Sequence, residues 1–193
     1  MLLMTAVVGG YFMLISMGQV LGDYAVESVL EKAVVTNQDL KADYYGGNSF
    51  DIGDFEPTVP SMLAKAPIAI TAAIYRPFLW EAKNIVMVMS GIESMLILFI
   101  TFRILIRLRV VGVIPMAIKS PLLTFSLIFS LFFAFSVGIS TSNFGSLVRY
   151  RIPVLPFFIA SLYIMDYYFN KDKNLKPKEE EEVEEIKEKS PVA

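Results

Sequence analysis

Residues 121–141 read PLLTFSLIFSLFFAFSVGIST and contain no charged side chain. A helix rises about 1.5 Å per residue, so about 20 apolar residues are needed to cross about 30 Å of hydrocarbon. This segment has that length, and it lacks the polar face that a surface helix of a soluble protein carries. It therefore predicts a transmembrane helix.

Three further segments predict spans. Residues 2–21 are uncharged, residues 84–104 place Glu93 near their middle, and residues 152–169 begin with two closely spaced prolines. The whole chain is 55% hydrophobic and 19% charged, whereas soluble domains average about 25% charged. We therefore predict an all-α integral membrane protein with about four transmembrane helices and a membrane domain over residues 1–169.

The distribution of basic residues predicts the topology. The connection after residues 84–104 holds several Arg and Lys but no acid, and short basic connections lie in the cytoplasm. Both termini are then cytoplasmic, and residues 23–83 form an outer loop with nine acids and five bases, a net charge of −4. Since no basic residue precedes residues 2–21, we expect the chain to be the C-terminal part of a longer polytopic protein.

The predicted outer loop and the C-terminal tail differ from the spans. Residues 26–34 repeat apolar side chains at helical spacing, which predicts an amphipathic helix. Residues 61–74 are apolar but too short to span, which suits an interfacial helix or a re-entrant segment packed against protein. Residues 170–193 are Lys-rich and then acidic, so we predict a cytoplasmic tail that is disordered or a frayed, exposed helix.

The chain contains neither cysteine nor histidine. This excludes thiolate chemistry, His-based metal sites and Ser–His–Asp triads within the chain. A metal ion would need oxygen ligands, and the acids Asp51, Asp54 and Glu56 lack the spacing of an EF-hand loop. We therefore predict no metal site and no cofactor.

Glu93 is a candidate functional residue because it interrupts an apolar span. A carboxylate at membrane depth is unfavourable unless it is paired or protonated. Two interpretations stay open. Glu93 belongs to a substrate or proton site, or it is a protonated side chain that joins two helices by hydrogen bonds.

Arg149 and Arg151 flank Tyr150 on the predicted outer side, where positive charge is disfavoured. Two guanidiniums can both approach one phosphate or pyrophosphate through their planar forks of donors. Arg76 lies on the same predicted side, so the three arginines are candidates for a lipid-pyrophosphate site. The alternative is headgroup snorkelling with a salt bridge to Glu81 or to the acidic loop.

Three blocks carry a family resemblance: NFGSLVRYRIP at residues 143–153, YRPFLWEA at 75–82 and GIE at 91–93. Over roughly residues 43–158 the chain resembles polytopic membrane proteins of bacterial surface-polysaccharide clusters, namely O-antigen polymerase-like and lipid-linked glycosyltransferase-like proteins. The resemblance implies a bacterial inner-membrane protein that acts in glycan polymerisation or transfer on an undecaprenyl-linked glycan. Such proteins have many more spans, which implies other membrane subunits, or an upstream part of the same protein, as partners.

Three functional hypotheses follow. In the first, the chain is a membrane-embedded component of polysaccharide assembly, with the three arginines holding the lipid pyrophosphate and Glu81 or Glu93 as catalytic candidates. In the second, it is a non-catalytic scaffold or assembly subunit whose tail binds a cytoplasmic partner. In the third, it is a transporter subunit with Glu93 as coupling site. All three place it among membrane lipids and predict no nucleic-acid partner.

Overall fold

The computed structural model describes residues 8–9, 26–42, 48–108 and 112–189, with the side chains of the last helix as far as Lys171. Apart from an isolated bridge between Ser49 and Asn143, the described part contains no β-structure. The prediction of an all-helical protein is confirmed for these residues. In chain order the helices are α1 Val26–Asp39, α2 Val59–Ala64, α3 Ala66–Tyr75, a 3-10 turn Leu79–Glu81, α4 Ile85–Leu108, α5 Val113–Lys119, α6 Pro121–Ser140, α7 Phe144–Tyr150 and α8 Val154–Lys189.

Two of the described helices are long and apolar enough to cross a membrane, α4 with 24 residues and α6 with 20. A third candidate is the pair formed by α7 and residues 154–171 of α8, which is bent by 62°. These helices correspond to three of the predicted spans, although α4 continues to Leu108, beyond its predicted end. The predicted span over residues 2–21 lies outside the described residues, apart from Val8 and Gly9.

Helix α6 begins where its sequence provides a cap. The Ser120 hydroxyl accepts a hydrogen bond from the Leu123 amide at 3.4 Å, and Pro121 occupies the first helical position. Both features favour a helix start, because the cap satisfies a free amide and proline has no amide to satisfy. The helix ends at Thr141, whose backbone is extended.

Helices α3 and α6 approach one another closely. Along α6, small residues recur every fourth position and are buried, and α3 meets them with buried alanines. A Cβ atom added to Gly138 would lie 2.0 Å from the carbonyl oxygen of Ala69. Small side chains let helix backbones approach closely in membrane proteins. The buried small residues of the two helices are Ala69, Ala72 and Ala73 on α3 and Ser126, Ser130, Ala134 and Gly138 on α6.

The loop before α2 closes over one end of this bundle. Phe50 donates its amide to the Ser142 carbonyl at 2.7 Å. The buried Asn37 side chain of α1 donates to the carbonyls of Ile139 and Thr141 at 3.1 and 3.3 Å, and the Ser142 hydroxyl donates to the Asn37 carbonyl. We call this the α7 end; it contains α7, the C-terminus of α6 and the N-termini of α4 and α8. The amphipathic helix α1 is thereby fixed to α6.

The opposite end of the bundle is joined by Arg107 of α4, which pairs with Asp166 of α8 at 2.9 Å and stacks on Phe169. Beyond this point α8 continues without interruption to Lys189. Residues 170–189, predicted as a disordered tail or a frayed helix, are therefore helical. The physical reason is that extending an existing helix is far easier than nucleating a new one.

Candidate functional site

Arg151 occupies the bend between α7 and α8 and is wholly buried. Its guanidinium donates to the Ser94 hydroxyl and the Arg76 carbonyl, both at 2.8 Å, and to the Ile74 carbonyl at 3.4 Å. Its other terminal nitrogen donates to Glu93 at 2.9 Å, whereas Nε has no hydrogen-bond partner. Arg151 thus joins the end of α3, the first third of α4 and the α7–α8 bend.

Glu93 lies eight residues into α4, about 12 Å along the helix axis. It lies somewhat nearer the N-terminus of the helix than its middle, because α4 extends four residues beyond the predicted end of the span. Its side chain is 51% exposed, and the Arg151 guanidinium faces it from inside the bundle. Buried charges persist in proteins when they are paired. The ion pair therefore explains the presence of the charged side chains of Glu93 and Arg151 without any ligand.

Arg76 and Glu81 form a second ion pair at the same end. Nε of Arg76 donates to both carboxylate oxygens of Glu81 at 3.0 and 3.2 Å, and the amide of Phe78 donates to the same carboxylate at 2.9 Å. The Arg76 guanidinium also lies over the rings of Phe50 and Phe144, 4.7 and 5.3 Å from their centroids. The salt bridge to Glu81, expected as one alternative for the arginines, is present for Arg76.

Arg149 is in a different environment. It is exposed, with its guanidinium 5.7 Å from the ring centroid of Tyr150. Among the described residues, no carboxylate lies within ion-pair distance of it. It borders a groove of about 350 Å³ between α6 and the α7–α8 bend. The groove is lined by Phe133, Ser136, Val137, Ser140, Arg149, Tyr150 and Pro153.

Arg149 and Arg151 do not face one site, because residues 144–150, which lie between two predicted spans, form the helix α7. Residues two apart on a helix project about 200° from one another. Arg151 therefore points into the bundle and Arg149 points to the groove. Arg76 and Arg151 do meet, but through a carbonyl, and each guanidinium is already bound to a carboxylate.

The groove itself was missed by reasoning from the sequence. Its one visible sign is the pair Ser136 and Ser140, which share a face of α6 at a spacing of four. The sequence also gives no sign that the buried hydroxyl of Ser94 accepts a hydrogen bond from Arg151. No protein-family model, curated protein or solved structure matches this chain, so the site rests on its own geometry.

Proposed function

We propose that this chain is a multi-pass component of a bacterial inner membrane that takes part in cell-surface polysaccharide assembly and binds a phosphate-bearing lipid at its α7 end. The observation that carries the proposal is Arg149: an exposed guanidinium with no carboxylate partner among the described residues, beside a largely apolar groove. Arg76 and Arg151 have a structural part in the site rather than a part in binding phosphate, because their charges are already balanced by Glu81 and Glu93.

The sidedness of the proposal follows from the sequence. Arg103 and Arg107 lie at the end of α4 that is opposite to α7, and a basic, acid-free connection follows them. Since such connections lie in the cytoplasm, the α7 end faces outward in our proposal. A lipid that carries a glycan on the outer side would meet Arg149 there through its phosphate groups.

The proposed role is binding and positioning rather than proton transfer by this chain alone. Glu81 accepts four hydrogen bonds from two residues, and Glu93 accepts one from a guanidinium. Both carboxylates are thus occupied by groups of this chain that they hold in place. We therefore assign both carboxylates to holding the arginines, and the chemistry to partner subunits.

A second candidate function, a scaffold whose tail binds a cytoplasmic partner, is favoured by the length of α8. Its 36 residues correspond to about 54 Å of helix, more than the about 30 Å of hydrocarbon. Helix α8 is therefore longer than the membrane is thick, and its charged C-terminal half would extend out of the membrane. Deleting residues 178–193 should abolish recruitment of a cytoplasmic partner in a pull-down if this function is correct, and should leave lipid binding intact.

The proposal is tested by the affinity of the purified chain in detergent for a short-chain polyprenyl pyrophosphate. Arg149→Gln removes charge-assisted hydrogen bonds worth about 1.5–3 kcal/mol each, so the affinity should fall at least about tenfold. The matched control is Arg103→Gln, an exposed arginine at the opposite end of α4, which should bind as the wild type does. Equal affinity of the Arg149→Gln protein, or no binding by the wild type, would remove the proposal.

A further inference from the structure

We infer that the groove between α6 and the α7–α8 bend holds the first segment of the apolar chain of the lipid whose phosphate binds Arg149. The inference rests on the proposed function and adds the ligand class: an amphiphile in which a phosphate is attached directly to a long hydrocarbon chain.

The groove is chemically apolar despite its two hydroxyl groups. Ser136 donates to the carbonyl of Phe132 at 3.0 Å, and Ser140 donates to the carbonyl of Ser136 at 2.7 Å. Because both hydroxyl protons are used within α6, neither needs a ligand acceptor or a water molecule. Phe133, Val137 and Pro153 supply the rest of the lining below Arg149 and Tyr150. A hydrocarbon chain therefore fits the groove, and an anion would bind only at the edge where Arg149 lies.

A row of aromatic rings continues from the groove along α6. Phe133, Phe129 and Phe125 are spaced by four residues. The ring centroid of Phe129 lies 5.6 Å from that of Phe133 and 6.0 Å from that of Phe125. Phe157 of α8 packs against this row, 4.5 Å from Phe129 and 5.9 Å from Phe125. Eight residues of helix span about 12 Å. The row leads away from Arg149, in the direction that the chain of a lipid would take into the bilayer.

The size of the groove sets how much of the lipid it takes. Its volume of about 350 Å³ is at the lower end of the range of about 300–1,000 Å³ for small-molecule sites. It accommodates one chain segment rather than a complete lipid. The headgroup then lies outside the groove.

The experiment fills the groove without touching the arginine. Ser140→Phe places a ring in the last turn of α6, and Ser136→Leu fills the groove one turn earlier. The matched control is Ile128→Phe, which adds bulk to an exposed position of α6 that does not line the groove. Three probes are compared on the purified full chain: a short-chain polyprenyl phosphate, phosphatidylglycerol and inorganic pyrophosphate.

The groove-filling variants should bind the polyprenyl phosphate at least about tenfold more weakly, the loss expected when about two buried methylene groups are displaced. Their affinity for inorganic pyrophosphate should match that of the wild type, and Ile128→Phe should change neither affinity. If phosphatidylglycerol binds as tightly as the polyprenyl phosphate and weakens equally in the groove-filling variants, the groove takes any phospholipid chain and the inferred ligand class is overturned.

Undiminished binding of the polyprenyl phosphate by folded Ser140→Phe and Ser136→Leu proteins would overturn the inference. The proposed function would survive that result, provided that Arg149→Gln still weakens binding. Equal affinity of the wild type for inorganic pyrophosphate and for the polyprenyl phosphate would also overturn it, since the chain would then contribute nothing. If the wild type bound none of the three probes, so that Arg149 bound no phosphate either, the proposed function would be removed instead.

Discussion

The pair of Glu93 and Arg151 offers the sharpest test of how the α7 end is held together. We consider Glu93→Gln, Arg151→Met and the double variant. Glu93→Gln removes the only carboxylate that faces the buried guanidinium among the described residues. Arg151→Met removes the guanidinium and leaves the hydroxyl of Ser94 and two carbonyls without their donor.

The magnitudes follow from burial. Removing one partner of a buried ion pair costs about 3–5 kcal/mol, because the other charge is left uncompensated. Glu93 is 51% exposed, so we take the lower limit, about 3 kcal/mol for each single variant. This corresponds to a change of more than about 100-fold in the ratio of folded to unfolded protein. The double variant leaves no unpaired charge, so it should cost about 4 kcal/mol rather than about 6.

The assay is reversible unfolding of the purified protein in mixed micelles, followed by helical circular dichroism, over the full double-mutant cycle. The control cycle uses Arg107→Met and Asp166→Asn, a pair in which both side chains are about one-third exposed. Its coupling should stay below about 1 kcal/mol, against about 2 kcal/mol for the buried pair. Additive effects of Glu93→Gln and Arg151→Met, within about 0.5 kcal/mol, would refute the reasoning.

Two other predictions concern stability. Gly138→Ala should destabilise the protein by about 1–3 kcal/mol or prevent its folding, since a Cβ there would lie 2.0 Å from a carbonyl oxygen of α3. Gly112→Ala should be tolerated in the same unfolding assay, because no described atom would lie closer than 4.0 Å to its Cβ. The hydrogen bond from Lys41, at 2.6 Å, lowers the pKa of Asp51 below 3.8, so its contribution to stability is present above that value and is lost as the pH falls through the lowered pKa. Because Asp51 is mostly exposed, Asp51→Asn should cost less than about 1 kcal/mol near pH 7, and titration should show the difference from wild type vanishing at low pH; a difference that grows on acidification would contradict this.

The helices that the sequence predicts well are those whose apolar run is uninterrupted. Residues 121–141 and 84–104 correspond to α6 and α4 because span length is a local property of composition. Helix α3 is different: with 10 residues it is too short to span, and its burial depends on the small residues of α6. That contact joins segments about 70 residues apart, which no local pattern encodes.

The candidate site was predictable in composition but not in arrangement. The sequence singles out the charged residues Arg76, Glu81, Glu93, Arg149 and Arg151. Which of them pair depends on tertiary contacts across as many as 58 residues. The separation of Arg149 from Arg151 depends on α7 being helical rather than extended, and the phase of a helix decides which side chain is buried.

The central claim, a phosphate-bearing lipid bound beside Arg149, is tested most directly by photo-crosslinking. A polyprenyl phosphate with a photoreactive group on its first chain segment is added to the protein in nanodiscs, and the labelled residues are identified by mass spectrometry. We expect labels on residues 133–140 and 149–153 that unlabelled lipid competes away and that are lost in Arg149→Gln. Labels spread along the exposed face of α4, with the same pattern in wild type and Arg149→Gln, would contradict it.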